Sequence, residues 1–154
     1  MTDSIKTIGI LGGGQLGMML AQAALKLGYR CVFLEDADGV PAGLYGQVFK
    51  YNEFDDFITA SDVFTLEFEN TPIKTAKSLA DLEHKGGLFP PTNALKIAQD
   101  RLAEKALFNR LDIDTVPFMA INSLDELQTA TKKLGLPLVL KTSRGGYDGK
   151  GQFV

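Results

Sequence analysis

The chain has one cysteine, one histidine and six prolines in 154 residues, no excess of positive charge and no long apolar run. A single cysteine excludes an internal disulfide framework. Set in the apolar run Arg30-Cys31-Val32-Phe33-Leu34, Cys31 reads as a buried small hydrophobe rather than a nucleophile. With a net charge of −3 and a pI near 5.1, nothing suggests a nucleic-acid backbone as partner, so any anion site must be local. No stretch reaches the ~18 apolar residues that a membrane span needs. The N-terminus has no basic segment leading into an apolar run and cleavage site, and a cytoplasmic protein is expected. The lone histidine, His84, falls in the last turn of an expected helix, where it suits the dipole and is given no chemistry.

What is present is an average globular composition, 45% hydrophobic and 23% charged, enough for a real core. Thr7 to Leu11 is a short apolar run ending in Gly12-Gly13-Gly14-Gln15-Leu16-Gly17. Apolar residues then recur at helical spacing from Met18 to Leu27, and Gly28 closes the helix. Gly12, Gly14 and Gly17 fit GxGxxG. The next strand, Tyr29 to Leu34, ends in Glu35 and Asp36, the first of them 23 residues after Gly12, near the spacing of a dinucleotide fingerprint. The same turn also serves any strand-helix-strand unit that receives a phosphate or packs its helix tightly.

Gln47 to Tyr51 suggests a third short strand, and Asn52 to Ser61 leaves room for one or two helical turns. Asp62 to Phe68 reads as a central parallel strand with Glu67 and Glu69 at its carboxyl end. Open α/β sheets bind ligands at that edge, where the glycine turn, Glu35 and Glu69 would converge. Spacing by two puts Glu67 on the same face as Glu69, so it either leans toward the crevice or is spent on a structural hydrogen bond. Thr71-Pro72 opens a helix to Lys85, and Leu88 to Pro91 gives an edge strand and a boundary. Thr92 can cap a helix spanning Ala94 to Leu111, with Asp100, Arg101, Glu104 and Lys105 on its polar side. Val116 to Ile121 reads as a strand, and Ser123 opens a capping box with Glu126 for a helix reaching Leu134.

The last stretch, VLKTSRGGYDGKGQ, holds the strongest chemistry. An apolar strand beginning at Leu136 ends on Lys141, followed by Gly145, Gly146, Gly149 and Gly151 with Arg144 and Lys150 among them. Glycines let backbone N–H groups close on a phosphate chain, and the cations neutralise it. A glycine-rich hairpin turn with solvated charges is the plain alternative, but such a turn has no use for a lysine at the strand end.

With GILGGGQLGMML, TLEFENTP, QDRLAEK and LVLKTSRGGYDGKGQ in this order, the chain resembles the N-terminal part of the 5-(carboxyamino)imidazole ribonucleotide synthases. These are the ATPases of the purine-pathway carboxylase system, within the ATP-grasp superfamily. The resemblance implies an α/β fold: a Rossmann-like pre-ATP-grasp domain with a parallel sheet over residues 1–89, then an incomplete first lobe of an ATP-grasp domain over 90–154. It implies ATP as cofactor, held by Arg101, Lys141, Gly146, Tyr147, Asp148, Gly149, Lys150, Gly151 and Gln152. Tyr147 and Asp148 would also lie near the reacting groups, and Gln15, Leu16 and Glu69 would form the ribonucleotide side, the first glycine turn receiving the ribose phosphate. Aminoimidazole ribonucleotide and bicarbonate are the implied substrates, a homodimer the implied assembly, and a mutase of the same pathway the implied functional partner.

The resemblance also places the Mg²⁺ carboxylates beyond Val154. After Arg101 the acids are Glu104, Asp112, Asp114, Asp125, Glu126 and Asp148, and none forms the strand-borne pair that magnesium needs. The 154-residue chain alone is therefore expected to be silent in catalysis. Three other readings stay open: a formate-dependent glycinamide ribonucleotide transformylase, an NAD-binding Rossmann module permitted by GxGxxG and Glu35, and a non-catalytic binding domain.

Overall fold

The computed structural model describes residues 6–67, 69, 76–146 and 150–154. They belong to two compact units, Met1–Leu95 and Lys96–Val154. The first unit runs β1 (Thr7–Leu11), α1 (Gln15–Lys26), β2 (Arg30–Leu34), β3 (Val48–Phe49), α2 (Phe54–Ala60), β4 (Val63–Leu66), α3 (Ala76–Lys85) and β5 (Leu88–Phe89). The strands form one sheet in the order β3-β2-β1-β4-β5, every neighbouring pair parallel. This is the expected α/β architecture. The short Asp38 to Asp62 region supplies both the third strand and its helix, each reduced to a few residues.

Alternation along the strands divides the core between the two sheet faces. Ile10 and Phe33 pack with Ala21, Ala24 and Cys31, while Leu11 and Leu34 pack with Phe49, Phe57, Phe64, Leu82 and Leu88 on the other side. Cys31 is buried, and burial pushes its thiol pKa up, as suits a small hydrophobe. Register sets the functional edge: Leu11 lies beside Leu34 on one flank and Leu66 on the other. Gly12, Glu35 and Glu67 therefore leave the sheet at the same level, at the strand carboxyl ends. Chain order reverses between β1 and β4, and open sheets form their ligand crevice at such a switch point.

In the second unit, one expected helix is two. α4 (Thr92–Ala98), which begins in the first unit, and α5 (Arg101–Arg110) are interrupted at Asp100. Asp100 adopts an extended conformation (φ −132°, ψ 109°) and its carboxylate accepts the Leu102 and Ala103 N–H groups, so it starts a helix rather than decorating one. Thr92 is likewise inside α4, not its cap: its N–H donates to Glu83 Oε1 and its buried hydroxyl has no partner among the described residues. The segment Val116 to Ile121 is not a strand, because no described strand runs beside it. The ammonium of Lys105 lies 5.8 Å from the centre of the Phe118 ring. α6 (Leu124–Leu134) begins at the expected Ser123 cap, although Glu126 reaches one residue further back, to the Asn122 N–H. The strand expected from Leu136 is only β6 (Leu140–Lys141), because its antiparallel partner β7 (Gln152–Phe153) is two residues long. Thr71 and Pro72, read as a helix start, lie outside the described residues.

Candidate functional site

The first glycine turn carries its ligand-like group already. The Glu67 N–H continues the ladder by donating to the Leu11 carbonyl at 3.0 Å, which aims the Glu67 side chain across the end of β1. Its Oε2 accepts the Gly17 N–H at 2.8 Å, the third N–H of α1. Gly14, at the N-cap, has no side chain to do this, and the first turn of α1 has no acid of its own. A carboxylate fifty residues away therefore supplies both the missing cap and the negative charge that a helix N-terminus favours.

The fingerprint glycines fit this carboxylate. A Cβ on Gly12 would stand 2.5 Å from Glu67 Cγ, and one on Gly14 3.0 Å from Glu67 Oε1. On Gly17 it would meet the Gly12 carbonyl oxygen at 2.8 Å and Glu67 Oε2 at 2.9 Å. Gly12 also has φ +105°, a conformation that favours glycine on its own account. Glu35, the acid that a dinucleotide would use for its ribose, is engaged too. Its two oxygens accept the Gly13 N–H at 3.4 Å and the Ala37 N–H at 3.1 Å. The Tyr51 hydroxyl has a raised pKa, through burial first and then through the charges of Glu35, Asp36 and Glu67. The strand-end edge is thus electronegative. Beside it, Gln15 and Leu16 are exposed on the first turn of α1, and Glu69 is half-buried two residues past Glu67.

The second unit gathers a different set. Arg101 opens α5, and its N–H donates to the Ser143 carbonyl at 2.9 Å. Its guanidinium donates through Nε to the Thr142 carbonyl at 3.2 Å and through an Nη to the Gly146 carbonyl. Arg144 returns to the same helix end, its guanidinium 3.0 Å from Asp100 Oδ2. Backbone N–H donors from Leu102 and Ala103, with Arg144 nearby, hold the Asp100 carboxyl below its usual range against some desolvation. Lys141 pairs with Gln152 across the β6–β7 ladder, and the Thr142 N–H donates to the Gly151 carbonyl at 2.9 Å. The ends of the glycine loop are therefore closed on each other: Gly146 and Gly151 both come so near Thr142 that a Cβ on either would stand 2.8 Å from its hydroxyl oxygen.

Among the expected ATP residues, the structure brings Arg101, Lys141, Gly146, Gly151 and Gln152 to one place, with exposed Lys150 next to Gly151. Tyr147, Asp148 and Gly149 lie outside the described residues. Two residues were passed over as sites: Asp100, counted as a surface charge, and Glu67, left between two alternatives. For the first, the only local hint was that aspartate is a favoured helix-capping residue. For the second it was a carboxylate at the end of the strand next to three close-packed glycines.

Residues 5–99 match the ribonucleotide synthetase preATP-grasp domain family, and residues 106–154 match the ATP-grasp domain family. The chain is 43% identical over 152 residues to the N5-carboxyaminoimidazole ribonucleotide synthase of Brucella melitensis, covering 95% of this chain and 41% of that protein. Its fold superimposes with TM-score 0.86 and 36% identity on the N5-carboxyaminoimidazole synthetase of Staphylococcus aureus complexed with ADP, over 96% of this chain and 40% of that one. With TM-score 0.75 and 26% identity it matches the synthase of Aspergillus clavatus in complex with ADP and 5-aminoimidazole ribonucleotide, over 97% of this chain and 40% of that one. The chain thus spans about two fifths of the length of these relatives. It belongs to the ribonucleotide synthetase preATP-grasp family, its pre-grasp sheet continued by part of an ATP-grasp domain.

Proposed function

We propose that this chain is the N-terminal part of an ATP-dependent carbon–nitrogen ligase of purine biosynthesis that carboxylates 5-aminoimidazole ribonucleotide with bicarbonate. A bicarbonate oxygen attacks the γ-phosphorus of ATP and ADP departs. The substrate amine then attacks the carboxyl carbon of carboxyphosphate, phosphate leaves, and the nitrogen gives up a proton.

The observation that carries this reading is the docking of Arg101 onto the glycine loop next to Lys141, within a chain whose relatives bind ADP. Arg101, Lys141, Lys150 and the backbone of 146–152 take the nucleotide phosphates, the cations compensating charge that moves during phosphoryl transfer. Tyr147 and Asp148 stand by the reacting groups, and loop closure keeps water from the acyl phosphate. Gln15, Leu16 and Glu69 form the ribonucleotide side. The functional domains divide at residues 1–89 and 90–154.

Mg²⁺ accompanies the nucleotide in this scheme. Among the described residues no group of three or more His, Cys, Asp or Glu could hold a metal ion, so no step is assigned to a metal held by this chain. Its protein ligands come from the part of the relatives' length that this chain does not span. The working assembly is a cytoplasmic homodimer whose product passes to a mutase. Among the described residues no helix is long and apolar enough to cross a membrane.

The test is the substrate dependence of ADP release by the full-length gene product. Release requiring both aminoimidazole ribonucleotide and bicarbonate, and lost in Lys141→Ala, is the expected result; release stimulated by formate instead would assign the transformylase reaction.

A further inference from the structure

The second unit holds four cations at or beside the glycine loop, Arg101, Lys141, Arg144 and Lys150, and one of them is already neutralised within the chain. We propose that Asp100 is a positioning residue for the nucleotide site: by pairing with Arg144 it fixes the first limb of the glycine loop against the start of α5, and Arg144 serves this contact rather than the phosphates. The inference rests on the ligase reading and deepens it, naming a residue that acts on the site without touching the nucleotide.

Three observations carry this. Asp100 divides its carboxylate between two tasks: Oδ1 accepts the Leu102 and Ala103 N–H groups at 3.0 and 3.4 Å, while Oδ2 lies 3.0 Å from the Arg144 guanidinium. One side chain thus starts the helix and holds the loop. The next residue completes the attachment, because the Arg101 N–H donates to the Ser143 carbonyl and its guanidinium to those of Thr142 and Gly146. Two successive residues therefore hold Thr142, Ser143, Arg144 and Gly146. Finally, the Asp100 side chain is only 21% exposed, so its charge needs a partner, and among the described residues no acid pairs with Lys141 or Lys150.

The charges thus divide by role. Lys141 and Lys150 are left to meet a polyanion, while Arg144 is spent on keeping the loop in place. A glycine-rich segment loses much conformational freedom when it closes over a ligand, and a limb fixed in advance reduces that loss, which shows as tighter binding.

The experiment measures ATP binding and steady-state kinetics of the full-length gene product in Asp100→Asn, Arg144→Ala and the double variant. Asparagine keeps the helix cap and removes the charge pairing. Each single change is expected to raise the ATP Kd and KM about threefold to fivefold, with kcat kept within about twofold. The double variant is expected to bind no more weakly than either single one. Unchanged affinity in Asp100→Asn overturns the proposal, and so do additive losses in the double variant or a fall in kcat alone. A loss in Arg144→Ala far greater than that in Asp100→Asn would put Arg144 on the phosphates and overturn it as well. All of these outcomes leave the ligase reading standing, whereas an unaltered protein that binds no ATP ends both.

Discussion

Glu67 accepts the Gly17 N–H at 2.8 Å, so the end of β4 caps the start of α1 across fifty residues of chain. Replacing Glu67 by alanine removes a cap and a favourable charge at the helix N-terminus. A loss of about 1 to 2 kcal/mol is expected, with glutamine retaining the hydrogen bond and losing about half as much. Urea denaturation at neutral pH checks it. A variant as stable as the parent would mean that the carboxylate does not cap α1.

Gly12 and Glu67 should be coupled. Gly12→Ala places a Cβ 2.5 Å from Glu67 Cγ and also strains a residue at φ +105°, at a combined cost of about 2 kcal/mol or more. In the double variant Gly12→Ala/Glu67→Ala the collision disappears and the backbone cost remains. The double-mutant cycle should therefore show the two changes costing less together than their sum. Strict additivity would place the Glu67 side chain away from the turn.

Asp100 predicts an acid dependence. Its folded carboxyl is held below the unfolded value, so its contribution to stability is present above the unfolded pKa and is lost as pH falls through the folded one. Asp100→Ala should lower the urea midpoint at pH 7 and make little difference below the usual carboxylate range. Asp100→Asn, still a good N-cap, should recover much of the loss while removing the pairing with Arg144. Denaturation midpoints as a function of pH give the answer.

Arg101 holds the loop through carbonyls of Thr142 and Gly146, which a lysine cannot reach with the same fork. In the full-length gene product, Arg101→Lys should weaken ATP binding by about tenfold or more, through loss of charged hydrogen bonds and a looser loop. Faster amide exchange at Arg101 and Thr142, whose N–H groups donate to Ser143 and Gly151, should accompany it. Unchanged exchange with weakened binding would separate direct nucleotide contact from loop positioning.

The parts legible in the sequence are those governed by local rules. The β1–turn–α1 unit followed from an apolar run, close-set glycines and helical spacing; Gly28, at positive φ, ends its helix as expected. Legibility failed where a distant partner decides. Asp100 looked like one charge on a long helical face because nothing local announces that Arg101 will donate to Ser143, far along the chain. Val116 to Ile121 has the apolar spacing of a strand but, among the described residues, no strand to pair with, and periodicity cannot supply one. For Glu67 the face was readable and the partner was not. A GxGxxG pattern records only that something must approach closely; the coordinates show a side chain of the same chain in that place.

The reaction scheme turns on bicarbonate being the acceptor of the γ-phosphoryl group. Incubating the full-length gene product with ATP, aminoimidazole ribonucleotide and ¹⁸O-labelled bicarbonate, then analysing the phosphate by mass, tests this directly. The account predicts one bicarbonate oxygen in each phosphate released. Phosphate that carries oxygen from water instead would mean simple hydrolysis and contradict it.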